Sequence, residues 1–153
     1  MINIVLYSPE IPQNTGNISR TCAVTGAKLH IIKPIGFEIS DRTLKRAGLD
    51  YWDKLDVTYY ENYEDFLTRN RGATMYFFTA HAEKSFAEVE YPDDVFLVFG
   101  RESVGLPSEL VEANKEKALR IPMRKPLRCL NLSNSVAIAV YEALRQKDYI
   151  GLE

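Results

Sequence analysis

Short apolar runs alternate along the chain with segments whose apolar residues recur every three or four positions. The runs are Ile2 to Tyr7, Leu29 to Ile32, Val57 to Tyr60, Thr74 to Thr79, Val95 to Phe99 and Leu119 to Ile121, and they read as six strands. Thr74 to Thr79 and Val95 to Phe99 are almost continuously apolar, the pattern of strands buried on two faces. Asn14 or Thr15 is placed to cap a helix that ends near Gly26, and Ser40 to cap a short one through Arg46. Glu61 to Asn70 reads as a third helix, with Phe66 and Leu67 on its apolar side. Pro107 to Ala113 reads as a fourth, with proline in its first turn. Ser133 is placed to cap the last helix, in which Val136, Val140, Tyr141 and Leu144 fall at helical spacing through about Lys147. Strand and helix in alternation predict an α/β fold: a mainly parallel sheet with helices on both faces. With no repeat, low-complexity tract or linker, residues 1–153 are expected to form one domain. Ligands in such folds bind at loops beyond the carboxyl ends of the strands.

Composition narrows the class. Apolar residues make up 46% of the chain and charged residues 26%, as in ordinary globular domains. No apolar run approaches the ~20 residues of a membrane span, and the start lacks the basic region and cleavage site of a signal peptide. A cytoplasmic protein with no membrane contact is expected. Cys22 and Cys129 lie far apart and read as two reduced thiols, and His30 and His81 have no ligand-like neighbours, so no metal is expected. The net charge is −2, yet Lys115, Lys117, Arg120, Arg124, Lys125 and Arg128 stand against one acid, Glu116, and Arg42, Lys45 and Arg46 form a second basic cluster. Local potential guides a polyanion more than net charge does. Solvated surface faces explain each cluster equally well when it is taken alone.

Three loops carry more polar chemistry than a spacer needs. The first, Ser8 to Arg20, has a single glycine, Gly16, where dinucleotide-binding folds place three, and instead gathers Gln13, Asn14, Thr15 and Asn17 at a helix start with Arg20 a turn further on. Helix amides plus arginine suit a phosphate or an alkoxide; an asparagine cap and a surface arginine account for the same residues. The second, Phe99 to Pro107, brackets Arg101 and Glu102 between Gly100 and Gly105 directly after a buried strand, where glycine permits close approach of a ligand. It differs from the hydrolase nucleophile elbow at Arg101. The third, Ile121 to Ser135, runs from basic residues into Leu130, Asn131, Leu132, Ser133 and Asn134 at the start of the last helix, where backbone groups can edge an adenine as well as cap the helix.

In order and at these spacings, Asn14 to Arg20 (N-T-G-N-I-x-R), Phe99 to Pro107 (F-G-x-E-x-x-G-L-P) and Ile121 to Asn134 (I-P-M…L-N-L-S-N) resemble the motifs of the SPOUT superfamily of RNA methyltransferases. The resemblance covers essentially the whole chain. It is nearest to the small single-domain members that methylate the ribose 2′-hydroxyl of nucleotide 34, cytidine or modified uridine, in the tRNA anticodon loop. It implies a C-terminal trefoil knot, against the general rarity of knots, with S-adenosylmethionine as cofactor and a homodimer whose sites are completed by the partner. The last helix and the first-motif helix would lie at that interface. Carried over by position, Gly100, Ile121 and Leu130 would contact the adenosine through their backbones. Phe78 and Thr79 would close one side, and Gly105 and Met123 belong to the same wall. Arg20, Asn14, Glu102, Asn131 and Ser133 would form the catalytic group. The chain departs from the pattern at Cys129, where the family commonly has serine.

For Arg20 a base role is physically poor, because guanidinium stays protonated. Binding the target phosphate and stabilising the incipient alkoxide suits it better. Glu102 is expected to orient Arg20 or a polar neighbour. Asn17, Arg42, Lys45, Arg46, Arg124, Lys125 and Arg128 are candidates for RNA contacts, since anticodon-loop bases are unstacked and readable. Two other readings share these residues: methylation of another RNA such as rRNA, and a non-catalytic knotted RNA-binding protein.

Overall fold

A computed structural model describes residues 1–38, 40, 42, 52–127 and 129–153 of the 153-residue chain. In chain order its strands are β1 (Ile2–Tyr7), β2 (Lys28–Ile32), β3 (Val57–Tyr60), β4 (Met75–Phe78), β5 (Lys84–Ser85), β6 (Val95–Phe99) and β7 (Ala118–Arg120). The helices are α1 (Pro12–Thr25), α2 (Tyr63–Arg69), α3 (Ser108–Ala113) and α4 (Leu132–Arg145). The expected short helix through Arg46 lies outside the described residues. The strands form one sheet in the order β3-β2-β1-β6-β4-β7-β5, and every pairing is parallel.

Parallel pairing forces each connection to cross a face of the sheet, and the alternation of side chains shows which face each helix covers. Ile4 and Leu6 of β1, Leu29 and Ile31 of β2, and Val95, Leu97 and Phe99 of β6 pack with Ile18 and Cys22 of α1 and with Val136, Ala139, Val140 and Ala143 of α4. The alternate residues Val5, Ile32, Phe77, Phe96 and Val98 pack with Phe66 of α2 and Leu110 of α3. All five residues of β6 are buried, which its unbroken apolar run required. Both cysteines are free; burial of Cys22 in the α1 face of the core pushes its thiol up to about 12.

The helix starts differ from the sequence expectation in two places. At α1, Asn14 and Thr15 do not cap: Ile11 is the cap residue and makes no side-chain cap bond, with Pro12 following it. At α4 the cap is Asn131, whose Oδ1 accepts from the Ser133 and Asn134 amides at 2.9 and 3.3 Å, while Ser133 sits one residue inside the helix. Asparagine leads the ranking of capping residues, so the two-residue shift involves little energy. Strand β5 has two residues and no apolar alternation, so nothing in the pattern announced it.

The face that carries α2 and α3 holds one buried polar network. His30 Nε2 donates to Asn3 Oδ1 at 3.0 Å, Asn3 Nδ2 donates to Asp94 at 2.9 Å, and Tyr60 Oη lies 2.8 Å from His30 Nδ1. The Asn3 amide nitrogen has acceptors on its own side, so its oxygen faces His30. Neutral His30 therefore donates through Nε2 and accepts the Tyr60 hydroxyl through Nδ1. Burial drives the His30 pKa down to about 4. Between that value and the unfolded value near 6.5 the unfolded chain binds the extra proton, so stability falls as pH falls through this range. Going from pH 7.5 to pH 5 is expected to remove about 2 kcal/mol through this residue. Denaturant unfolding of His30→Gln should show a lower stability at pH 7.5 and a correspondingly flatter pH dependence. Equal pH slopes for the two proteins would contradict the assignment.

Candidate active site

The chain lays down β1, β2 and β3 outward on one side, starts β4 and β5 on the other, and then returns to insert β6 between β1 and β4. The connections from β1 and β6 therefore leave in opposite directions, which opens a crevice at their carboxyl ends. Loop Ser8–Ile11 leads there into α1, and loop Gly100–Pro107 leads into α3. After β7, the segment from Ile121 to Asn131 crosses to reach α4.

Loop Gly100–Pro107 is folded back on itself. Arg101 and Gly105 exchange backbone hydrogen bonds of 3.2 and 2.9 Å, and a side chain at Gly100 would place its Cβ 2.1 Å from Gly105 C and Leu106 N. Glycine is required there by contact with backbone, and at Gly105 by a φ of 71°. The returning loop leaves Glu102 at its tip, directed at the start of α1. The Glu102 carboxylate accepts from the Glu10 amide at 2.8 Å, the Ile11 amide at 3.0 Å and Asn14 Nδ2 at 3.4 Å. A carboxylate from the second loop thus ties down the two amides that lead into α1, and it faces the positive end of the helix dipole.

Asn14 continues the chain of bonds. It is buried, and its Oδ1 accepts from Asn131 Nδ2 at 3.1 Å. Asn131 Oδ1 in turn accepts from Ser133 Oγ at 2.6 Å in addition to the two amides of α4. Glu102, Asn14, Asn131 and Ser133, one or more from each loop, are joined in a single relay.

Beside the relay lies a cleft of about 2100 Å³. Phe78, Thr79, Gly100, Gly105, Ile121, Met123 and Leu130 all line it, as do Asn14, Glu102 and Asn131. Phe78 and Phe99 stack at 4.7 Å and 19° in its wall. Small-molecule sites run to about 300–1,000 Å³, so this volume exceeds the needs of one cofactor. Exposed Cys129 also lines the cleft.

The remaining expected site residues lie elsewhere. Arg20 does not line the cleft; with Asn17 it occupies the exposed face of α1. Of the two partners expected for Glu102, it bonds the polar neighbour Asn14, and its other contacts are the Glu10 and Ile11 amides. Arg42, Arg124 and Lys125 are exposed and stand apart from the cleft lining, and Lys45, Arg46 and Arg128 fall outside the described residues. Sequence reasoning passed over a contact beside the cleft: Glu10 and Ser103 bond one another across the two loops. The doublets Pro9-Glu10 and Glu102-Ser103, each at a loop tip, were the available signal.

The fold is that of solved RNA methyltransferases. A structure described as giving structural insights into the 2-OH methylation of C/U34 on tRNA superposes with a TM-score of 0.91 at 45% identity, covering 97% of both chains. An AdoMet-bound rRNA methyltransferase from Sinorhizobium meliloti superposes with a TM-score of 0.82 at 26% identity, over 94% of this chain and 56% of that one. In sequence, the tRNA (cytidine(34)-2′-O)-methyltransferase of Escherichia coli K12 is 47% identical over 152 residues, 99% of this chain and 97% of that protein. The model of the SpoU rRNA Methylase family matches residues 1–141. The chain belongs to the SpoU methylase family.

Proposed function

We propose that this chain transfers a methyl group from S-adenosylmethionine to the ribose 2′-hydroxyl of nucleotide 34, cytidine or modified uridine, in the tRNA anticodon loop. The observation that carries the reading is the relay Glu102–Asn14–Asn131, which fixes three separate loops around one cleft. Its relative of 47% identity bears the name of that activity over nearly its whole length.

The cleft suits the cofactor. At Gly100 the wall consists of backbone with no room for a side chain, and Ile121 and Leu130 add further backbone groups where an adenosine would be edged. The stacked Phe78 and Phe99 give an apolar wall that excludes water. When bound, S-adenosylmethionine supplies an electrophilic methyl group on a sulfonium. The residues of the chain do the rest. Asn14 and Asn131 hold the nucleotide side of the cleft in place, and positioning of this kind supplies much of the rate in such transfers. Arg20 binds the target phosphate and stabilises charge on the ribose oxygen, while a phosphate oxygen or water takes the proton.

Arg20 stands outside its own chain's cleft, so this reading includes a homodimer in which Arg20 serves the partner's cleft. Val24 on α1 and Ile138 and Tyr141 on α4 support it, as apolar side chains left 40–59% exposed on two helices that pack together. The reading also includes one domain over residues 1–153, working in the cytoplasm, and a trefoil knot. The insertion of β6 and β7 between strands laid down earlier supports the knot.

Exposed Arg42, Arg124 and Lys125, with Asn17, are the described candidates for RNA contacts. Methylation assays with tRNA and with rRNA separate the substrates, and transfer to tRNA alone is expected. Binding of tRNA should weaken steeply between 50 and 200 mM salt, by roughly tenfold or more for a few neutralised phosphates. Affinity that is flat with salt would overturn RNA as the partner.

A further inference from the structure

Loop Gly100–Pro107 is closed at its base by the Arg101–Gly105 bridge, and its tip is tied to the start of α1 by two carboxylates running in opposite directions. Glu102 accepts from the backbone amides of Glu10 and Ile11. Glu10 returns the contact: its Oε1 accepts from Ser103 Oγ at 2.6 Å and from the Ser103 amide at 3.2 Å. These bonds hold the Glu10 carboxyl below its usual range, the Ser103 hydroxyl contributing most. On its other side the Glu10 backbone is braced by the loop after β2. Gly36 donates to Pro9 O at 2.9 Å, and a Cβ at Gly36 would stand 3.0 Å from Glu10 Cα. The Glu10 backbone is therefore fixed independently of its side chain, which leaves the carboxylate to hold Ser103.

We propose that Glu10 and Ser103 are positioning residues that hold loop Gly100–Pro107 in the shape that grips the cofactor. This rests on the proposed function. The next residue, Val104, is 74% exposed, so beyond the bonds of Glu102 and Ser103 little packing restrains the tip of the loop. Removing the Glu10 carboxylate leaves Glu102 on the α1 amides, since those bonds use only the Glu10 backbone. The α1 cap and the core stay intact, and the loop loses one of its two ties.

The test is calorimetric titration of the whole chain with S-adenosylhomocysteine, alongside kinetics with S-adenosylmethionine and tRNA. Glu10→Ala should weaken S-adenosylhomocysteine binding by about tenfold, through loss of the two bonds that tie Ser103, and raise KM for S-adenosylmethionine to match. The rate at saturating cofactor should stay within about twofold, because reorganising the loop is a binding cost. Ser103→Ala, at an exposed position that folding does not depend on, should act in the same direction. The double variant should be no worse than Glu10→Ala, since that variant already removes the bond of the Ser103 hydroxyl, and Ser103→Thr should restore binding. Unchanged affinity in both single variants, or fully additive effects, would overturn the clamp. If the unsubstituted chain binds S-adenosylhomocysteine and the variants bind alike, the clamp alone fails. If the unsubstituted chain does not bind it, the proposed function fails and the clamp with it.

Discussion

Gly100→Ala is expected to cripple cofactor binding in a chain that still folds. The added methyl carbon would stand 2.1 Å from Gly105 C and Leu106 N and 2.7 Å from Gly105 Cα, all backbone atoms that no rotamer change can move aside. The loop must open, and the paired hydrogen bonds between Arg101 and Gly105 open with it. Two lost bonds and a displaced wall should weaken S-adenosylhomocysteine binding by roughly 100-fold or more. Strand β6 ends at Phe99 and keeps its ladders to β1 and β4, so the far-ultraviolet circular dichroism should be unchanged. Gly105→Ala is the internal contrast. Nothing stands within 4 Å of its added carbon, and only the left-handed φ of 71° opposes it. That strain costs about 1–2 kcal/mol, which predicts a loss nearer tenfold. Equal effects at the two positions would show that close approach of backbone is not what Gly100 provides.

Arg20→Ala is expected to reduce kcat by about 10²–10³-fold, the usual cost of removing a preorganised donor from a developing oxyanion. Binding of S-adenosylhomocysteine should be unaffected, since Arg20 does not line the cleft of its own chain. Arg20→Lys should recover little, because an ammonium cannot reproduce a bidentate guanidinium contact. A shared site makes a sharper demand. Mixing Arg20→Ala with Gly100→Ala protein under subunit exchange should restore about a quarter of normal activity, since half of the randomly formed dimers then hold one intact site of two. Were cleft and arginine to act within one chain, no dimer would hold an intact site and the mixture would stay inactive.

The sheet and the main helices were legible because their signal is local. Five unbroken apolar residues at Val95–Phe99 admit one reading, and Val136, Val140 and Leu144 mark the buried side of α4. What escaped was set by partners distant in sequence. Asn14 looked like a cap because asparagine at a helix start usually is one; it lies inside the helix instead, where its side chain joins Glu102 to Asn131. Ser133 and Asn131 are both good caps two residues apart, and tertiary placement chose between them. For Glu102 the sequence left two partners open, Arg20 or a polar neighbour, and the structure pairs it with the polar neighbour Asn14; its two bonds to backbone amides leave no mark in a sequence. Glu10 and Ser103 went unnoticed for the same reason: their pairing exists only once β1 and β6 lie side by side. Strand β5 is held by its neighbour β7 rather than by its own residues.

The most direct measurement is to incubate the chain with tritiated S-adenosylmethionine and unfractionated tRNA, digest the RNA and locate the label. A 2′-O-methylated cytidine or uridine at the wobble position of the anticodon is expected, with the label lost in Gly100→Ala. Label on a base, label at another tRNA position, or transfer only to ribosomal RNA would contradict the assignment of this cleft to the anticodon ribose.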